Sequence, residues 1–151
     1  MFLEAWRGSG LIVGHESSRQ EISELLGIIE TDLEDARIPE LSADRRLACC
    51  YGALLAAARA ALRAAGYRVP KGSPNHHYYA IQSLQFTVGL NAQVLRQIET
   101  MGKKRATADY VRVGEVSASM IEEGLAFAEE YCERITDWIR EAHPSLIEAS
   151  A

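Results

Sequence analysis

Several features are scarce in this chain of 151 residues, and each scarcity excludes something. Cysteine occurs three times, as Cys49, Cys50 and Cys132, with no C-x-x-C spacing. Neighbours such as Cys49 and Cys50 diverge on a helix, so neither a disulfide framework nor a metal clip is expected. Small core hydrophobes in a reducing compartment are the expected role. No H-E-x-x-H, E-x-x-H or glycine-rich phosphate loop occurs, and no serine, cysteine or lysine sits in a nucleophile motif. No metal and no cofactor are therefore expected. No apolar stretch reaches the roughly 18 residues of a membrane span. The N-terminus lacks the basic start and apolar run of a signal peptide. A cytoplasmic protein without membrane contact is the expectation. Nothing reads as a strand, and no internal repeat is visible.

What is present is an ordinary globular composition, 48% hydrophobic and 25% charged, in a length that suits one domain with its own core. The net charge of -5 argues against a chain coated in nucleic acid, while leaving room for a local basic patch.

Apolar spacing then assigns helices. Residues 1–15 mix Phe2, Leu3, Trp6, Leu11, Ile12 and Val13 with three glycines, which predicts an irregular or partly helical arm lying across the body or across a second subunit. The remaining 16–147 read as a bundle domain. In residues 16–37, Ile22, Leu25, Leu26, Ile29 and Leu33 make one stripe; Ser17 or Ser18 caps it, with Glu21 completing a capping box. Residues 42–65 form the clearest helix, capped by Ser42, rich in alanine and closed by Gly66. Its Leu47, Tyr51, Leu54, Ala58, Ala61 and Leu62 face inward, and Arg59 and Arg63 face solvent. Asn75 caps a helix to about residue 88, and Asn91 starts another with Val94, Leu95, Ile98 and Met101 on one face, loosened at Gly102. A capping box at Ser119 and Glu122 opens the last helix, residues 117–143, whose Ile121, Leu125, Ala128, Cys132, Ile135 and Ile139 form a bundle seam. The fold class is all-α, a bundle of four to five helices with short connections.

The chemistry concentrates in residues 101–113, MGKKRATADYVRV, where Lys103, Lys104 and Arg105 stand together in an acidic chain. Cations near a helix C-terminus meet its partial negative charge, which is the plain reading. The sharper reading adds Tyr110 and Arg112: the planar fork of Arg105 suits a phosphate, and the Tyr110 hydroxyl can sit beside the same group. His76 and His77 are adjacent and diverge, unlike a helical metal pair spaced by four; a structural or surface role is expected.

From residue 41 to about 135 the chain resembles a bacterial HEPN-domain protein, on the landmarks LSADRRLACCYGALLAAARAALRAAGYR, HHYYAIQSL, KKRATADY and SASMIEEGLAFAEEY. The resemblance implies an up-and-down HEPN-like bundle that forms a homodimer. It also implies an arginine, four to six residues, then a histidine, paired across a dimer cleft where RNA is cut without a metal. Arg105 matches the arginine. Ala106 follows it where a polar residue is common, and Tyr110 stands in place of the histidine. A histidine near pKa 6.5 exchanges protons at neutral pH, whereas a tyrosine near 10 must first be lowered.

The resemblance therefore implies an RNA- or nucleotide-binding protein, as an endoribonuclease or as the toxin of a toxin–antitoxin pair. Arg105 and Tyr110 would be catalytic, and Lys103, Lys104 and Arg112 would bind RNA. A rival is a non-catalytic module that binds a protein partner such as a nucleotidyltransferase antitoxin. A third reading is a helical adaptor acting through its N-terminal arm.

Overall fold

Alanine decides the centre of the fold. The helix Ala43–Ala64 carries small side chains on every side, so neighbours can close on it all round. Cys50, Ala53, Leu54, Ala57, Ala58, Ala60 and Ala61 have no exposed surface, and these positions span about 160° of its circumference. With Tyr51, Leu55, Ala56 and Leu62 also buried, the expected buried side is widened to most of the helix, apart from the sector of Ala48, Gly52, Arg59 and Arg63. Over 18 residues its mean hydropathy is 1.3, long and apolar enough to cross a membrane, contrary to the reading of the sequence; 72% of that window is covered by the protein itself.

The computed structural model describes residues 2–110 and 117–147, with the backbone alone for residues 104–110. Among these residues the chain forms α1 (Phe2–Gly8), α2 (Arg19–Ala36), α3 (Ala43–Ala64), α4 (His76–Gln82), α5 (Ala92–Tyr110) and α6 (Ala118–Ala142), with short 3-10 turns at Ser83–Gln85 and Pro144–Leu146. The fold is all-α. The longer helices α2, α5 and α6 pack around α3, and α4 closes a further side.

Local chemistry sets the helix ends. Ser18 and Ser42 cap α2 and α3, their hydroxyls accepting from the Glu21 and Arg45 amides at 3.1 and 3.2 Å. The box at Ser18 is only half made, because the Glu21 carboxylate turns to His15 and Arg63 instead. At α6 the cap is Ser117, which accepts from the Met120 amide, rather than Ser119. Asn91 caps α5 through the Val94 amide at 3.0 Å. Asn75 makes no such bond at α4; it adopts a left-handed conformation with φ 61°. That helix ends at Gln82, shorter than the periodicity suggested, and a 3-10 turn follows.

Two short strands were not expected. Val13–Gly14 (β1) pairs antiparallel with Tyr67–Arg68 (β2), Val13 opposite Arg68 and Gly14 opposite Tyr67. A two-residue ladder has no periodic signature to read. It pins the N-terminal arm to the bundle. Leu3 and Ile12 bury against Leu62, and Phe2 stacks on Phe86 with ring centroids 5.4 Å apart. The arm, which the sequence offered to the body or to a second subunit, thus lies across the body of its own chain.

Arg59 and Arg63 also depart from the expected solvated face. Arg63 donates to Glu21 at 2.9 Å, and Glu21 also meets His15 at 2.8 Å. Burial acts to raise the Glu21 pKa, but His15 and Arg63 outweigh it and hold the carboxyl below its ordinary value. Arg59 is half-buried; desolvation first, and the neighbouring Arg63 second, lower its pKa.

Candidate functional site

Glycine is a poor helix residue, by about 1 kcal/mol against alanine. Gly102 nonetheless lies inside α5, which continues to Tyr110 instead of loosening before the basic run. The reason is a close approach. A Cβ built on Gly102 would stand 2.7 Å from Cε1 of Tyr51, a ring on α3 that is only 6% exposed. Absence of a side chain lets α5 lie against this ring, and packing wins over propensity. The His77 ring of α4 reaches the same ring, with centroids 6.5 Å apart, and the His76 ring meets His77 at 4.2 Å. The two histidines are therefore a side-chain pair at the start of α4, and His77 meets the same Tyr51 ring that Gly102 approaches.

Lys103 is exposed, one turn after Glu99. Burial raises the Glu99 pKa, against a hydrogen bond from Gln82 and the charge of Lys103. Lys104, Arg105 and Tyr110 share the α5 backbone with Lys103, and their side chains lie outside the described residues. Arg112 also lies outside them. Helical geometry over residues 105–110 separates the Arg105 and Tyr110 Cα positions by about 7.5 Å along the axis and about 140° around it. The two positions thus stand on different sides of one helix.

Along the same helix, an open groove of about 460 Å³ runs between α5 and α6. Gln93, Arg96, Gln97 and Thr100 form one wall, and Met120 and Phe127 the other. Another groove, of about 450 Å³, follows α6 and is acidic: Glu130, Glu133, Asp137 and Glu141 line it beside Arg134 and Trp138. It repels phosphate.

One group brings metal-capable atoms together. Asp32 and Asp35 of α2 and Cys49 of α3 place one ligand atom each within 4.8 Å of one another. Burial, and then the neighbouring carboxylates, raise the pKa of Asp32 and of Cys49. Both shifts favour the protonated forms, which a metal must displace. Cys50 and Cys132 are buried thiols, pushed up by desolvation to about 11 and about 12. Those values suit the core role expected of them.

A signal missed by motif reading is the distribution of acids. Residues 45–98 hold no aspartate or glutamate, yet carry Arg45, Arg46, Arg59, Arg63, Arg68, Lys71 and Arg96. All 21 acids lie outside this stretch. A running charge count finds it; a search for catalytic spacing does not. No protein-family model matches the chain, and no curated protein matches it.

Proposed function

We propose that the chain is a HEPN-like RNA-binding protein that acts as a homodimer and cleaves RNA without a metal. The observation that supports this reading is the continuity of α5. A single helix, wedged against Tyr51 at Gly102, carries the basic run from Lys103 to Tyr110. In the proposed reaction the RNA 2′-hydroxyl gives its proton to solvent and attacks the adjacent phosphorus, while the 5′-oxygen leaves and takes a proton from solvent, giving a 2′,3′-cyclic phosphate. Arg105 stabilises the negative charge that develops on the phosphoryl oxygens. Tyr110 polarises the 2′-hydroxyl, and Lys103, Lys104 and Arg112 hold flanking phosphates, which makes binding salt-sensitive. The separation of residues 105 and 110 around α5 favours an RNA met by groups from two subunits. The large apolar side chains left exposed for contact between chains, among the described residues, are Phe2, Ile28, Ile38 and Tyr78.

RNA incubated with the purified protein and excess chelator is the test. Cleavage is expected, and Arg105→Ala is expected to abolish it while the helical circular dichroism signal is kept. Cleavage that persists in Arg105→Ala counts against the reading. A solution mass of one chain, 16.7 kDa, at micromolar concentration removes the shared cleft.

The second reading is a non-catalytic module for a protein partner, such as an antitoxin. It is favoured by the α5–α6 groove, whose apolar Met101, Met120 and Phe127 beside Gln93 and Gln97 suit a peptide better than a phosphate chain. Under this reading a protein partner is captured, RNA stays intact, and Tyr110→Phe leaves capture unchanged.

A further inference from the structure

Attack of a hydroxyl on phosphorus is helped by a group that takes the hydroxyl proton, and near neutral pH imidazole is the side chain suited to it. The chain has four histidines. His15 is engaged by Glu21 at 2.8 Å. His143 lies past the end of α6, its ring centroid 5.4 Å from that of Trp138. His76 and His77 open α4, His76 exposed and His77 half-buried. Of the four, these two belong to an element that packs on α5.

Two contacts fix how α4 lies on α5. Near the end of α4, the Gln82 side chain donates to the Glu99 carboxylate. At its start, the His77 ring meets the Tyr51 ring of α3, with centroids 6.5 Å apart. The same Tyr51 ring lies 2.7 Å from a Cβ built on Gly102 of α5. Passing from the first contact to the second runs backward along α4 and forward along α5. The two helices therefore run in opposite senses, and the His77 end of α4 lies toward the end of α5 that carries the basic run. Position 105 follows Gly102 by about 4.5 Å along the axis and about 60° around it. Position 110 follows by about 12 Å and about 80° in the opposite sense. Position 105 is thus the nearer of the two to the Tyr51 ring that His77 meets, on the side of α5 shared by residues three apart.

We propose that His77 is the proton acceptor of the α5 site, taking from the RNA 2′-hydroxyl the proton that would otherwise go to solvent. The inference rests on the RNA-cleaving reading above and adds the residue that carries its proton transfer. The neutral imidazole takes the proton as the bond from the 2′-oxygen to phosphorus forms and the bond to the 5′-oxygen breaks. The 5′-oxygen takes a proton from water, and the imidazolium then returns its own to water. The titratable groups described around His77 are His76 beside it, Tyr51 of α3, and Glu99 and Lys103 on the adjoining stretch of α5.

Single-turnover cleavage of a labelled RNA by the full chain, in excess chelator and over a range of pH, tests it. The wild-type rate is expected to rise through the range in which imidazoles titrate, about pH 6–7, and then to level. His77→Ala is expected to lower the rate about 100-fold, to lose that rise, and to recover part of the rate when imidazole is added. His76→Ala is expected to keep the rise. A His77→Ala protein that cleaves like the wild type, or whose slow rate keeps the rise and ignores imidazole, overturns the proton acceptor and leaves the proposed function standing. A wild type that does not cleave overturns both. Because the His77 ring packs on Tyr51, a thermal melt checks the fold of each variant. His77→Gln, which keeps a polar body of similar size, replaces an alanine variant that does not fold, and the same loss of the rise is expected of it.

Discussion

The stretch 45–98 and the helices α2 and α6 use charge in opposite ways. In the first, cations stand without acids along a stretch whose helix α3 is buried over most of its surface. In the second, Glu24, Glu30, Glu34, Glu122, Glu133 and Glu141 face solvent from the outer surfaces of α2 and α6. The net charge of -5 averages these and describes neither. What the difference teaches is that a modest overall charge can hide one segment without acids and others rich in them. It also separates two sources of stability. Around α3 the fold rests on packing. Between the end of α2 and α6 the ion pair of Arg37 with Glu129 is surface chemistry, with side chains 47% and 41% exposed.

Substitutions can break or sharpen this contrast. The largest effect is expected at Leu54, fully buried at the centre of α3. Leu54→Ala should destabilise by about 2–5 kcal/mol, through lost transfer energy and a residual cavity. Urea denaturation reads it, and a loss below about 1 kcal/mol would mean that α3 is not the centre of the core. Next comes Gly102→Ala. Alanine offers about 1 kcal/mol of helix propensity. The 2.7 Å approach to the buried Tyr51 ring forces a shift that costs about 1–3 kcal/mol. Net destabilisation is expected, and a gain in melting temperature would show that the ring yields freely.

A smaller effect, with a pH signature, belongs to Asp32. Burial first and Asp35 second raise its pKa. The folded state therefore keeps this proton to higher pH than the unfolded state does. Stability falls as pH rises from the ordinary carboxylate range through the folded pKa. Asp32→Asn should gain about 0.5 kcal/mol at pH 7, a modest figure because solvent screens a half-exposed group. The gain should vanish below about pH 4. Equal stability changes at both pH values would contradict the assignment. The smallest effect is expected at Arg37→Ala, at most about 1 kcal/mol and reduced further by salt. A larger loss would mean that the acidic flank contributes more than surface chemistry.

Much of this fold was legible from spacing. The seam of α6, the inward face of α5 and the caps Ser18, Ser42 and Asn91 follow from the sequence, because helical period and hydroxyl capping are local. What escaped was set by contacts distant in sequence. Gly102 looked like a loosening of the helix end because its partner, Tyr51, is on another helix. Glu21 looked like half of a capping box because His15 and Arg63 come from other segments. The β1–β2 clip was too short for any periodicity. The basic run was legible as Lys103, Lys104 and Arg105, and its setting was not: the α5 backbone carries it onward to Tyr110. The acid-free stretch was legible in principle and needed only a count of charge along the chain.

Ultraviolet cross-linking of bound single-stranded RNA, with the linked peptides mapped by mass spectrometry, tests the division of the surface most directly. The account predicts links concentrated on the basic end of α5. Links concentrated on the acidic outer faces of α2 and α6 would contradict it.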